Sequence, residues 1–263
     1  YSSSLFSSLS DKTLISSDKI KSIKPLFTGN YATRANTEIF YFSQKAANLI
    51  INKKYDLNLL PDITQANGNK CTLLDLVNSL NDDYFSILIP QIKIDENNCT
   101  VDTSVLTDGV KQKIISKENT QSVNLLKGKI SKNNFLIEVD NNKISVDVKD
   151  IKEKIEYDGE NFIIKINGQS SLNEKSFNNT KYKKLIEKSQ IELNKLIKNN
   201  IEKSIEELIK KNDFDPMNFY KYFRKYDYNI FKQNKNNWIN FLKNSSFIIE
   251  SNVYINPCIL YFR

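Results

Sequence analysis

Residues Lys129–Gln169 read KISKNNFLIEVDNNKISVDVKDIKEKIEYDGENFIIKINGQ, and this stretch decides the fold. It divides into three strands, Lys129–Val139, Lys143–Ile155 and Asn161–Gln169. Asp140-Asn141-Asn142 and Tyr157-Asp158-Gly159-Glu160 supply the turns between them. Strands bounded by Asn, Asp and Gly clusters at such short intervals predict an antiparallel meander. A long helix over Thr180–Asn212 follows. Its apolar residues Tyr182, Leu185, Ile186, Leu193, Leu196, Ile197, Ile201, Ile205 and Leu208 recur at a mean spacing near that of the α-helix. Asp215-Pro216 reads as an N-cap followed by proline at the first helical position, opening a second helix that runs to Tyr226. A third helix is expected over Tyr228–Lys243, and Ser246–Tyr261 holds a final strand.

On the N-terminal side, Gly128 is well placed to stop a short helix over Lys117–Lys127, which Ser116 can cap. Ahead of it, Val101, Thr103 and Val105 alternate. Asp108-Gly109 is a type I′ turn signal, and Val110–Ile115 returns as a partner strand. Ile87, Ile89, Ile92 and Ile94 straddle Pro90, which implies an edge strand or a bulge. Thr72 caps a helix over Leu73–Leu80 whose apolar positions fall at i, i+3, i+4 and i+7. Asn52–Lys70 is polar, with Pro61 and an Asn67-Gly68 turn, and reads as a boundary. Earlier still, a helix over Asp18–Leu26, a buried strand at Glu38–Phe42 and a helix over Gln44–Ile51 are expected. The fold class is therefore α+β. It is expected to be multi-domain, with mainly antiparallel sheets, helices packed on them, and a C-terminal domain of meander plus long helix. The expected divisions are 1–52, 53–127 and 128–263.

Composition limits the chemistry. The 263 residues contain no histidine, which removes Ser-His-Asp and Cys-His triads and imidazole metal sites. The six glycines are too dispersed for a G-x-G-x-x-G or Walker loop. Cys71, Cys99 and Cys258 have no metal or redox spacing. They read as buried thiols, with a Cys71–Cys99 bridge as the alternative in an oxidising compartment. Asp95-Glu96-Asn97-Asn98 lacks the glycine and terminal glutamate of a calcium loop, and Asp82-Asp83 falls in a loop. No catalytic, cofactor or metal residue is assigned, and an enzyme is not expected. No apolar run approaches the roughly 18–20 residues that span a bilayer, and no signal peptide is present. A start at Tyr1 instead of Met suggests that an upstream piece was removed.

The net charge of +7 has a definite location. Residues 181–243 hold 15 Lys+Arg against 8 Asp+Glu, and the remaining 200 hold 23 of each. Lys181, Lys184, Lys188, Lys195, Lys198, Lys203 and Lys210 share one side of the long helix. That side is either a cationic face for anionic lipid, nucleic acid or an acidic partner, or a solvated surface laced with i, i+4 pairs. The pairs would be Lys198–Glu202, Lys203–Glu207, Glu206–Lys210 and Glu207–Lys211. Asn, Lys and Ile together make up 103 residues, and only three of the 38 cations are arginine. This looks like the codon bias of an AT-rich genome, so the charge is weak support for nucleic acid. The aromatic run Phe214, Phe219, Tyr220, Tyr222, Phe223, Tyr226, Tyr228 and Phe231 is read as core, with base stacking as the alternative.

Several strings carry a family resemblance. Thr72–Leu80 (TLLDLVNSL), then a strand with Pro90 and Lys93, resembles the middle of the C subunits of bacterial spore nutrient-germinant receptors, the Ger(x)C family. Leu125-Leu126-Lys127-Gly128-Lys129-Ile130 is similar to the family's LKGKI string. The long Lys/Glu helix, Asp213-Phe214, Phe219, Phe223-Arg224-Lys225-Tyr226 and Trp238 with Phe241 resemble its tail. The chain departs from the pattern in three places. Asp227 stands where the family usually has Pro, Pro216-Met217-Asn218 and Tyr220 replace its glycines, and Ile255-Asn256-Pro257-Cys258 differs from its ending. The resemblance implies a non-catalytic lipoprotein subunit on the outer face of the inner spore membrane. It would be held by an N-terminal lipid anchor absent from this chain, along with most of an N-terminal domain. Its partners would be the integral-membrane A and B subunits, with no nucleic acid, and a basic nucleic-acid-binding module is the alternative. Interaction candidates are Lys127, Gly128 and Lys129 at the domain junction, and Lys184, Lys188 and Lys195 on the long helix.

Overall fold

The computed structural model describes residues 12–15, 38–42, 70–80, 84, 86–94, 99–130, 132–172 and 179–256. The first part of the chain builds a five-stranded sheet. Its strands are β1 (Lys12–Ile15), β2 (Glu38–Phe42), β3 (Ile87–Ile94), β4 (Cys99–Thr107) and β5 (Gln112–Ile115), in that spatial order. β1–β2 and β2–β3 pair in parallel, and β3–β4 and β4–β5 pair antiparallel. The sheet takes strands from both sides of residue 52, because Tyr41 pairs with Gln91 and Phe42 with Ile92. Pro90, which has no amide hydrogen, lies just ahead of that short ladder. A bulge between Gln91 and Lys93 follows it, as the sequence suggests. Helix α1 (Leu73–Leu80) starts at Thr72, whose hydroxyl accepts from Asp75 N–H at 3.2 Å while Asp75 accepts from Thr72 N–H at 2.9 Å. The helices expected at 18–26 and 44–51 lie outside the described residues.

The turn between β4 and β5 differs from the expected type I′. Four residues, 108–111, form the loop, and of these Gly109 alone has a positive φ. The Asp108 carboxylate accepts from Val110 and Lys111 N–H, so the side chain reinforces a turn that the backbone closes with a long bond from Asp108 N–H to the Lys111 carbonyl at 3.4 Å. Helix α2 (Lys117–Leu126) then begins at Ser116, as expected, with its hydroxyl accepting from Asn119 N–H.

The second sheet contains the expected meander: β6 (Lys132–Val139), β7 (Asn142–Tyr157) and β8 (Asn161–Leu172). The two-residue turn that does adopt positive φ at both positions is Asp140-Asn141, at 50° and 64°. In β7, Asp150 (φ 53°) and Ile151 stand opposite the single residue Gly168. The absence of a side chain there lets β7 pass, since a Cβ on Gly168 would sit 3.2 Å from Val148 and 3.4 Å from the Lys149 carbonyl. A run of helices separates β8 from the last strand, β9 (Ser246–Asn256), so the two pair in parallel, from Asn161↔Ser246 to Ser171↔Asn256.

That crossover begins with α3 (Asn179–Ile205), which lays Leu193, Ile197, Ile201 and Ile205 on the sheet. The regular helix ends sooner than expected. Glu206–Lys210 form a π-turn, in which Lys211 N–H donates to the Glu206 carbonyl, five residues back. The wider turn allows the adjacent residues Leu208 and Ile209 both to be fully buried. The helix expected over 228–243 is broken. It runs as α5 (Tyr228–Asn234), a 3-10 turn (Lys235–Asn237) and α6 (Trp238–Asn244), after α4 (Phe219–Tyr226). Of the aromatic run, Phe214, Phe219, Tyr220, Phe223 and Phe231 are core while Tyr226 and Tyr228 are exposed, and Phe162 is the hub of the buried rings. Its ring lies 4.8 to 6.0 Å from those of Tyr157, Phe219, Phe223, Phe241 and Phe247.

Phe162→Ala removes the hub of this cluster and is expected to cost about 3–5 kcal/mol, with Phe162→Leu costing less. Urea unfolding followed by Trp238 fluorescence measures both.

Candidate functional site

The junction of the two sheets is built from the end of α2. Lys127 is its C-cap, and Gly128 adopts φ 64°. Gly128 N–H bonds to the Leu125 carbonyl and Lys129 N–H to the Asn124 carbonyl, which together form a Schellman stop. The positive φ is what requires glycine; a Cβ there would come within 2.7 Å of the Glu153 carboxylate on β7, the far end of a flexible side chain that can swing aside.

The two flanking lysines tie the junction to the first sheet. The Lys127 ammonium donates to the Ser86 carbonyl at 3.2 Å, and that of Lys129 to the Lys70 carbonyl at 3.1 Å. Gly128 and Lys129 are exposed, whereas Lys127 is half-buried with its ammonium enclosed. Burial, reinforced by the neighbouring Lys129, lowers the Lys127 ammonium to about 7, against a partial opposing effect of Asp215. Lys221 and Cys71 also face it. Burial raises the Cys71 thiol to about 12, and it is a free thiol, so the alternative of a Cys71–Cys99 bridge does not hold.

Asp215 was read as an ordinary N-cap and is not one. Its carboxylate is buried and accepts from Phe219 N–H at 2.9 Å, Tyr220 N–H at 3.0 Å and Trp238 Nε1–H at 3.0 Å. Asn218, in left-handed conformation, takes the cap position of α4 instead. Burial raises the Asp215 pKa, and the three donors only partly oppose this. Tyr84, which sequence reasoning passed over, packs its ring against Tyr220 and Phe231 and so joins the first part of the chain to the helical crossover.

The lysines on α3 are dispersed among partners. Lys188 pairs with Asp140 in the β6–β7 turn at 2.7 Å, and Lys195 approaches Glu192 at 3.8 Å. Lys184 is exposed. Of the four i, i+4 pairs, Lys198–Glu202 is present at 3.8 Å. The π-turn shifts the others. Glu206 meets Lys211, Glu207 takes Lys113 and the Asn119 amide, and Lys210 donates to the Lys243 and Ser245 carbonyls. The six candidates thus form two separate groups, one at the sheet junction and one along α3.

Among the described residues no group of three or more His, Cys, Asp or Glu side chains is placed to hold a metal ion. A cleft between α2, β6 and α3, lined by Ser122, Asn133, Phe135 and Asn200, has a volume of about 10 Å³, which is room for one water molecule. Among the described residues, no helix is long and apolar enough to cross a membrane.

The family described as "Spore germination B3/ GerAC like, C-terminal" matches residues 102–257. The solved structure titled "Crystal Structure of the GerBC protein" superposes with a TM-score of 0.74 at 16% identity. The superposition covers 94% of this chain and 79% of that one, a likeness of fold. No curated protein matches.

Lys127 carries a prediction whose sign is fixed by its depressed pKa. Between about 7 and the ordinary value of 10.5 the unfolded chain holds a proton that the folded chain lacks, so this group makes stability rise with pH across that window and level off below 7. Lys127→Met should flatten the rise relative to the wild type, as read from urea midpoints at a series of pH values.

Proposed function

The chain belongs to the spore germination B3/GerAC-like C-terminal family, and from that premise we propose that it is a non-catalytic subunit of a germinant receptor. It acts through protein–protein contacts in nutrient-triggered germination at the inner spore membrane. The observation that carries this reading is the extent of the match. Residues 102–257 include all of the second sheet, the helical crossover and the junction at Lys127–Lys129. The partners are integral-membrane A and B subunits, and a lipid anchor preceding this piece of chain holds it to the outer face of that membrane. The divisions 1–52, 53–127 and 128–263 are carried forward as its proposed domains, the first two joined by the five-stranded sheet they share.

The non-catalytic role is supported by the way the perturbed groups are used. Lys127 and Asp215 are enclosed and join elements, and Cys71 is an enclosed core thiol. Gly128 and Lys129 at the junction, and Lys184, Lys188 and Lys195 on α3, present exposed surface to a partner, while the ammonium of Lys127 is enclosed and holds the junction to Ser86. The nucleic-acid alternative is left with a much smaller stacking platform, because Phe214, Phe219, Tyr220, Phe223 and Phe231 are core and only Tyr226 and Tyr228 of that run are exposed.

Deleting the gene should abolish germination with at least one nutrient while leaving germination by non-nutrient chemical triggers intact. Optical-density loss of purified spores measures this, and a normal response of the deletion strain to every nutrient would overturn the reading.

A further inference from the structure

Lys188, Lys195, Lys198, Lys210 and Lys211 are engaged by partners, and besides Lys183, Lys184 and Lys203, spread along α3, the exposed basic charge of the crossover is concentrated at one corner. Residues 221–235 hold five cations (Lys221, Arg224, Lys225, Lys232 and Lys235) against the single carboxylate Asp227. Arg224, Lys225, Lys232 and Lys235 are exposed. Among the described residues none of these four makes an ion pair, though Lys225 sits 4.6 Å over the Tyr226 ring. Asp227 forms the corner between α4 and α5, and the tyrosines on either side of it point outward. Tyr226 is 64% and Tyr228 58% exposed, whereas every other aromatic of the run is buried or half-buried.

We propose that this corner, with Tyr226 and Tyr228 at its tip and Arg224, Lys225, Lys232 and Lys235 around them, rests on the surface of an anionic lipid bilayer. Three physical arguments favour lipid. A phenol has an apolar ring and a polar tip, which suits the headgroup layer, where each end finds its own solvent. Three of the four cations are lysines. Their flexible point charges suit a fluid, delocalised negative layer better than the bidentate recognition of a fixed carboxylate or phosphate, for which arginine is the usual choice. The surface is also a convex helical corner with its apolar side turned inward through Phe219, Tyr220, Phe223 and Phe231, so it offers no groove for a peptide. The inference deepens the membrane-side reading of the receptor subunit and rests on it. It gives the protein a second contact with the bilayer, which fixes its orientation as well as its proximity.

Sedimentation of the purified 263-residue chain with vesicles tests it. One set of vesicles is phosphatidylcholine alone and the other also contains phosphatidylglycerol. Binding is expected for the anionic set only, falling steeply with added salt. With each interfacial cation contributing about fivefold, the triple change Arg224→Gln, Lys225→Gln, Lys232→Gln should lower partitioning by roughly a hundredfold. Tyr226→Ser with Tyr228→Ser should lower it further at a given salt concentration. Lys183→Gln with Lys203→Gln on α3 should leave it unchanged. These side chains are exposed, so circular dichroism should be the same for all variants. Equal binding of the triple variant and the wild type overturns the proposal. So does loss of binding in the α3 variant alone, equal binding to both vesicle sets, or tighter binding to soluble polyglutamate than to anionic vesicles. The last result would assign the corner to an acidic protein. Vesicle binding is independent of germination, so a failure here with a nutrient-blind deletion strain overturns the surface and leaves the receptor reading standing.

Discussion

The Asp215 carboxylate lies where two separate chain paths need an acceptor. Its oxygens receive the first amides of α4 and the indole N–H of Trp238 at the head of α6. Taking a carboxylate out of water is expensive, and the fold offsets that cost with three donors and a nearby ammonium on Lys127. Without those contacts neither α4 nor α6 would have a fixed entry angle, and the rings they bring to Phe162 would lose their register. The junction at Gly128 depends on the same centre, because the lysine that precedes the glycine stop also reaches across to the first sheet.

The two sheets are therefore coupled through polar side chains inside a largely apolar core. Asn119 shows the same habit. It receives the Ser204 hydroxyl and donates to Glu207, which in turn holds Lys113 on β5. Buried polar networks of this kind do little for net stability, but they tolerate very few alternative arrangements. For a germinant-receptor subunit, a unique relation between the two halves matters more than a large margin of stability.

Local signals in the sequence reached their targets. Ser116, Thr72 and Gly128 start and stop helices as their chemistry requires, and the meander follows from alternation and its Asn- and Gly-rich turns. Features that depend on distant neighbours were not legible. Asp215-Pro216 has the local form of a cap, yet the carboxylate is drawn inward by Trp238, 23 residues later. The π-turn exists because Leu208 and Ile209 both meet the core, a demand that no helical wheel expresses. Lys188 looked like part of a free cationic face, since its partner Asp140 lies 48 residues away. For the candidate site, the junction position of Lys127–Lys129 was readable from Gly128 alone, but the division of labour among the three residues was not.

The edge of the second sheet has a consequence for how this protein meets others. Outward-facing backbone groups of β9 are already occupied by side chains of α3. Asn194 accepts from Val253 N–H at 2.8 Å and donates to the Val253 carbonyl at 3.0 Å, and Gln190 accepts from Ile255 N–H at 3.1 Å. The two amides take the place of a fifth strand. The C-terminal part of this eleven-residue edge, at Val253 and Ile255, is thereby closed to strand addition, which opposes stacking against its own copies there. Recognition at that end of the molecule must proceed through side-chain surfaces, whose geometry is set by α3 lying across the sheet.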